Sequence, residues 1–296
     1  MSEDKEAAKA NSPAPVVTLS PSRANDYLNC PLLYRFRSID KLPEPPSIDA
    51  IRGTLVHAVL EKLFTFPRSE RVLATAESQL ILLWNEMKNS RDDVKELMPT
   101  LNEDEFILSA ENLTRRYFEL EDPQMFEPTE LETHVEVALS EELLIHGYID
   151  RLDIAPTGEI RIVDYKTGKA PGIGFEEKSF FQMKFYALIL WKTLGKVPKR
   201  LQMIFLGDGK ILTQDPTPED LEKTQMKIEK IATDIEISKA SGHWPTRKSR
   251  LCDWCAHQKI CPEFGGTPPA LPQEALLLIL LPNSRAMRRL LQLKSR

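Results

Sequence analysis

No stretch of the 296 residues is apolar for long. The longest uninterrupted run, Ala275 to Leu281, falls well short of the roughly 18 to 20 residues that a membrane helix needs. The first fifteen residues, MSEDKEAAKANSPAP, lack the apolar core of a secretion signal. These two absences lead to the expectation of a cytoplasmic protein without a membrane anchor. The chain also has no G-x-x-x-x-G-K-S/T motif, which excludes a P-loop motor, and no internal repeat, which excludes a solenoid. Basic residues are in deficit, 39 against 44 acidic, for a net charge of −5. This balance counts against a nucleic-acid binder, which more often carries a basic surface, but a local basic groove can hide in an acidic total. Cysteine is scarce, with four residues in all. In a reducing compartment these are either inert core residues or metal ligands.

What is present is ordinary for a globular chain, with 42% hydrophobic and 28% charged residues. That is enough for one large domain or two small ones. The most informative stretch is Leu144 to Lys169, LIHGYIDRLDIAPTGEIRIVDYKTGK. Its halves alternate apolar and polar residues around Pro156, Thr157 and Gly158, which is the pattern of a β-hairpin. Alternation puts Asp164 and Lys166 on one strand face with Ile160 and Ile162. A turn centred near Thr157 sets Asp150 across the ladder from Asp164. Opposed carboxylates repel, and a divalent cation converts that repulsion into a binding site. A D-x-K triplet alone is ordinary edge-strand surface. Here the acid ends an apolar strand, faces a second acid and precedes a glycine-containing loop. The pattern suggests a metal-dependent phosphodiesterase centre, with Lys166 beside the attacking water and the scissile phosphate.

Around the hairpin, Ser20 caps a short amphipathic segment that runs to Cys30 and Pro31, and Leu42 to Ser47 is a proline-rich loop. From Ile48 a helix carries Leu55, Val56, Val59, Leu60, Leu63 and Phe64 at helical spacing, with His57 and Glu61 four apart. Residues 69–121 read as a helical subregion of two or three helices, and residues 130–140 as a strand. A helix over about 178–194 places Gln182 and Tyr186 on one side. A short strand (201–206), a turn at Asp208-Gly209 and a long helix (218–240) follow. His57 on an apolar helix is equally readable as a hydrogen-bonded core residue, and Glu61 as surface charge.

Cys252-x2-Cys255-x5-Cys261-Pro262, with Cys30 far upstream, uses every cysteine of the chain. Four thiolates suit either zinc or an iron–sulfur cluster, but a structural zinc site more often has two C-x2-C pairs, and here there is one. Closing a loop of this length would remove much unfolded-chain entropy. Trp254, between two of the cysteines, reads as a shield for the site rather than a base-stacking platform.

GYIDRLD followed by IVDYKTGK resembles the PD-(D/E)XK nuclease superfamily, specifically its RecB-type exonuclease branch. The resemblance extends to RGTLVHAVLE, with His57, and to FQMKFYAL, with Gln182 and Tyr186, and covers about Ser20 to Cys261. It implies an α/β fold, a central mixed β-sheet flanked by helices as in restriction endonucleases. It implies that Asp150, Asp164, His57 and the backbone carbonyl of Tyr165 bind Mg²⁺ or Mn²⁺. Lys166 would position the water and stabilise charge on the phosphate, and Gln182 and Tyr186 would contact DNA or orient the site. It also implies that Cys30, Cys252, Cys255 and Cys261 hold a [4Fe–4S] cluster, as in AddB-type and CRISPR-associated exonucleases. Phosphodiester hydrolysis demands a barrier reduction on the order of 20 kcal/mol, which Lewis acidity and charge clamping supply. Hard oxygen ligands favour Mg²⁺ or Mn²⁺.

The expected organisation is a disordered leader over 1–17, a nuclease domain over 18–265 and a tail over 266–296. From Asn283 the tail carries five Lys/Arg and no acid, so −5 less +5 leaves −10 for residues 1–282. The expected activity is a metal-dependent DNA exonuclease acting on single strands or ends in repair or recombination, alone or with a separate helicase. Two readings compete with it: a non-catalytic DNA-end-binding module, and a nuclease clasped by zinc.

Overall fold

The computed structural model describes residues 17–172, 174 and 176–272. Almost all of the expected leader and most of the tail, including its five basic residues, lie outside the described residues. A mixed, six-stranded sheet is flanked by helices, as expected. Its strands are β1 (Val17–Leu19), β2 (Glu130–Ser140), β3 (Leu143–Ile154), β4 (Ile160–Lys166), β5 (Arg200–Phe205) and β6 (Lys210–Gln214). The order is β1-β3-β4-β5-β6, with β2 also paired to β3. β1 and β3 run parallel, β3 and β4 antiparallel, β4 and β5 parallel, and β5 and β6 antiparallel. The helices are α1 (Pro21–Asn29), α2 (Pro31–Tyr34), α3 (Ile48–Leu63), α4 (Leu73–Ser90), α5 (Asp92–Leu97), α6 (Glu103–Leu120), α7 (Glu176–Leu194) and α8 (Pro218–Ser241).

The chain divides into two compact units. One comprises the described residues up to Glu44, Glu136–Gly147 and those from Lys223 on; the other comprises Pro45–Val135 and Tyr148–Glu222. The second holds a continuous core in which Leu55, Val59 and Leu63 of α3 meet Leu80 and Trp84 of α4, Phe106 and Tyr117 of α6, and Val163 and Tyr165 of β4. α3 starts where Ser47 Oγ accepts the Ala50 N–H. α6 starts where Asn102 caps a first turn holding three acids, a placement the helix dipole favours. α7 packs on β4 and β5.

The hairpin has the expected register. Arg151 pairs with Val163 and Ile154 with Ile160, so continuing the ladder by one residue sets Asp150 opposite Asp164. The turn closes through Ala155 N–H to Glu159 O and Gly158 N–H to Ala155 O. Gly158 has φ +86°, a conformation that glycine adopts without a steric cost. Beyond β4 and β5 the backbones of Gly168 and Gly207 touch. A Cβ on Gly207 would lie 2.4 Å from the Gly168 carbonyl, so this crossing needs glycine.

In the first unit, β1 is a buried strand where the sequence suggests the end of a leader and the start of a capped segment. Val17 and Leu19 are buried, and the strand pairs Val17 with Leu143. The N-terminal helices and the C-terminal segment meet there. Tyr27 Oη and Ser238 Oγ are 3.1 Å apart, and Tyr34 stacks on Trp244 with centroids 6.0 Å apart. His257, which carries no signal in the sequence, is buried against Phe36 with Nε2 2.8 Å from Glu44. Among the described residues no helix is long and apolar enough to cross a membrane.

Candidate metal and phosphodiester centre

The centre is assembled at the adjoining strands β3 and β4. Asp150 Oδ2 accepts the backbone N–H of Tyr165 at 2.7 Å. His57 reaches over from α3, its Nε2 donating to the Tyr165 carbonyl at 2.9 Å and its Nδ1 lying 3.5 Å from Asp150 Oδ2. Asp164 is buried. Its Oδ1 accepts from Lys166 Nζ at 3.1 Å and from Gln182 Nε2 at 3.0 Å. Gln182 also accepts from Lys166 Nζ at 3.0 Å and donates to Tyr186 Oη at 3.1 Å. The site residues expected from the sequence in this unit thus fall into two adjacent hydrogen-bonded sets, His57 with Asp150 on the Tyr165 backbone, and Lys166, Asp164, Gln182 and Tyr186. Gln182 and Tyr186 act within the second as a brace on Lys166 and Asp164. Glu61, in contrast, is solvent-exposed on α3.

Glu132, absent from the expected site residues, brings its carboxylate to 3.7 Å from His57 Nδ1. Among the described residues, His57, Glu132 and Asp150 offer ligand atoms all within 4.8 Å of one another. Glu132 has φ +42°, a left-handed conformation that costs a non-glycine residue on the order of 1 kcal/mol and clusters at functional sites. A glutamate in the stretch ELETHVEVALS carries no sequence sign of this. Arg151 is likewise absent from the expected site residues. It is fully buried beneath the site, bidentate to Glu121 at 2.8 and 3.0 Å and bonded to Tyr165 Oη at 2.6 Å.

The electrostatics fit a missing positive charge. Burial and the Asp164 carboxylate push Asp150 up to about 7, against the opposing pull of His57 and the Tyr165 N–H. Burial alone would lower His57, but the nearby Glu132 carboxylate and the charges of Asp150 and Asp164 outweigh that and raise it to about 9. Lys166 is likewise opposed by burial, yet Asp164 holds its ammonium protonated above lysine's ordinary value. Asp164 Oδ2 is buried and has no hydrogen-bond partner, its one close neighbour being the Lys166 ammonium, an ion-pair contact at 2.8 Å. An unfilled acceptor beside two carboxylates and an imidazole suits a hard divalent cation such as Mg²⁺ or Mn²⁺.

This arrangement fixes the sign of a pH effect. Both folded pKa values exceed their unfolded ones. The metal-free protein therefore loses the contribution of Asp150 as pH rises from about 4 through 7, and that of His57 as pH rises from about 6.5 through 9. A cation bound there would replace those protons, so thermal melts with chelator should fall between pH 6 and 9 and Mn²⁺ should raise Tm more at pH 8 than at pH 6. A Mn²⁺ shift that does not change with pH would contradict this.

In the first unit the four cysteines are free thiols and line one cavity of about 60 Å³ together with Phe36 and Phe264. Burial, and then the three neighbouring thiols, push the Cys261 thiol above its ordinary value. Among the described residues the sulfurs do not form a second ion-sized group. Trp254 is 79% exposed and does not line the cavity, so the expectation that it shields the site is corrected. It points into solvent from a one-turn helix (Arg250–Trp254) too short to bury it.

Two phage proteins of similar length resemble the chain. The Gene 69 protein of Mycobacterium phage D29 is 27% identical over 83% of this chain and 96% of its own. The Gene 69 protein of Mycobacterium phage L5 is 23% identical, with the same coverage. A crystal structure from Eubacterium rectale, described as that of a candidate exonuclease, superposes with a TM-score of 0.55 at 16% identity. It covers 93% of this chain and 97% of that one, which supports the fold. The sequence profile of the PD-(D/E)XK nuclease superfamily matches residues 18–262. That span takes in His57, both aspartates, Lys166 and all four cysteines, and the chain belongs to the PD-(D/E)XK nuclease superfamily.

Proposed function

We propose that the protein is a Mg²⁺- or Mn²⁺-dependent DNA exonuclease of the RecB-type branch, acting on single strands or DNA ends in repair or recombination. The observation that carries this reading is the hairpin, which joins Asp150, Asp164 and Lys166 in one cluster with His57 and leaves Asp164 Oδ2 without a hydrogen bond. His57, Asp150, Asp164 and the Tyr165 carbonyl would hold the cation, with Glu132 close enough to join them. The cation, when bound, supplies Lewis acidity and neutralises charge on the phosphate. Lys166 orients the attacking water and stabilises charge on the phosphoryl oxygens. Gln182 fixes Lys166 against Asp164, and Tyr186 fixes Gln182. With no P-loop motif in the chain, strand separation would fall to a separate motor. The name of the Eubacterium rectale neighbour is consistent with this activity.

We further propose that Cys30, Cys252, Cys255 and Cys261 hold a [4Fe–4S] cluster that ties the N-terminal segment to the C-terminal one. A single tetrahedral zinc, with Zn–S near 2.3 Å, would draw the sulfurs to about 3.8 Å from one another. A single C-x2-C pair with a third cysteine nearby and a remote fourth is what favours a cluster over zinc. Anaerobically purified protein should be brown and carry iron and sulfide. Colourless protein with stoichiometric zinc would refute the cluster.

Linear single-stranded, linear duplex and circular DNA, labelled at either end and incubated with Mg²⁺, Mn²⁺ or chelator, test the activity. Metal-dependent loss of linear DNA with circles intact is expected. DNA that is bound but never cut in any divalent metal would favour a binding module and overturn the reading.

A further inference from the structure

We propose that Tyr148, with His134 beside it, is a stacking platform for one unpaired nucleobase next to the catalytic carboxylates, and that it biases the enzyme toward single-stranded substrate. The inference rests on the nuclease reading above and gives a substrate-positioning role to a residue to which the resemblance assigns none. Along β3, Ile149 and Arg151 are buried on one face of the sheet. Tyr148 therefore shares the opposite face with Asp150, two residues or roughly 6.7 Å further along the strand. Tyr148 is 57% exposed. A scattered exposed aromatic needs no explanation. This one stands on the strand face that carries the site's own carboxylate, and the ring of His134, from the adjoining strand β2, lies 5.0 Å away and tilted by 56°. Two rings from neighbouring strands thus present a π surface within one nucleotide's reach of Asp150.

The chemistry of the neighbourhood selects the part of a nucleic acid that can bind there. β2 carries Glu130, Glu132 and Glu136 and no lysine or arginine, so the platform has no phosphate clamp of its own. Recognition falls to the base. Every base has a π face, and stacking on aromatic side chains is tolerant of sequence. In a duplex both faces of a base are already stacked on its neighbours, so only an unpaired or frayed nucleotide can occupy the platform. The contribution of Tyr148 should also be insensitive to salt, unlike that of a phosphate contact.

The test uses the full-length protein, with single-stranded oligonucleotides carrying 2-aminopurine at successive positions. Binding is followed by fluorescence in chelator and cleavage in Mn²⁺. Quenching should occur at one position and disappear in Tyr148→Ala. That variant should raise KM on single-stranded DNA by about 5- to 100-fold, equally at low and high salt and with kcat within about twofold. Tyr148→Phe should behave as wild type, which separates lost stacking from a lost fold. Wild-type cleavage with KM and quenching unchanged in Tyr148→Ala would overturn the platform while leaving the nuclease reading intact. Tyr148-dependent quenching in a wild type that never cleaves would support the platform and overturn the nuclease reading.

Discussion

Replacing Lys166 by alanine is expected to lower kcat on DNA by about 10²- to 10³-fold or more with little change in KM, since it removes one preorganised cation that acts as charge develops. The ammonium is the site's fixed positive charge, held 2.8 Å from Asp164 Oδ2 and 3.0 Å from Gln182. Gln182→Ala should give a smaller loss, because it frees Lys166 to leave its position without removing the charge. Single-turnover rates on a labelled single strand measure both. Lys166→Ala as active as wild type would rule out the assigned role. Gln182→Ala more damaging than Lys166→Ala would mean that the glutamine itself touches substrate.

The second large effect is on stability. Arg151→Ala should cost about 3–5 kcal/mol, the usual consequence of removing one partner from a buried ion pair. The guanidinium is the common partner of Glu121, Asp153 and the Tyr165 hydroxyl, and it lies 4.5 Å from the Phe126 ring centroid. Alanine would leave Glu121, whose side chain is 10% exposed, without its cation, while Asp153 would keep Arg161 at 2.7 Å. Arg151→Met combined with Glu121→Gln removes charge from both sides and should recover much of the loss, as measured by urea unfolding in chelator. A loss below about 1 kcal/mol for Arg151→Ala would show that the pair is not a keystone. Tyr165 joins this layer to the chemistry, because its carbonyl receives His57 and its N–H holds Asp150. Disorder beneath the sheet would therefore reach the metal site.

These two predictions differ in how far the sequence foretold them. The hairpin is local: turn residues at 156–158 set the register, so the meeting of Asp150 and Asp164 follows from counting residues on either side of Thr157. The apolar spacing on α3 likewise places His57 on a definite face. Arg151 lies in the same hairpin but is unreadable, because its partners Glu121 and Phe126 come from segments outside it. Glu132 escapes notice because it meets His57 of α3 and Asp150 of β3 only in the folded chain, and nothing local in ELETHVEVALS announces that meeting. β1 is three residues long and pairs with a strand more than a hundred residues away, so no local periodicity announces it. Trp254 shows the converse error. Its position between two cysteines suggests shielding, but a short turn gives it nothing to pack against.

Calorimetric titration of Mn²⁺ into wild type, Asp150→Asn and Asp164→Asn at pH 8 tests the cation centre most directly. Each exchange keeps the side chain's shape and removes one charged ligand. The wild type should bind saturably, and each variant should bind at least tenfold more weakly. Wild-type affinity retained in both variants would place the metal elsewhere and contradict the centre described for β3 and β4.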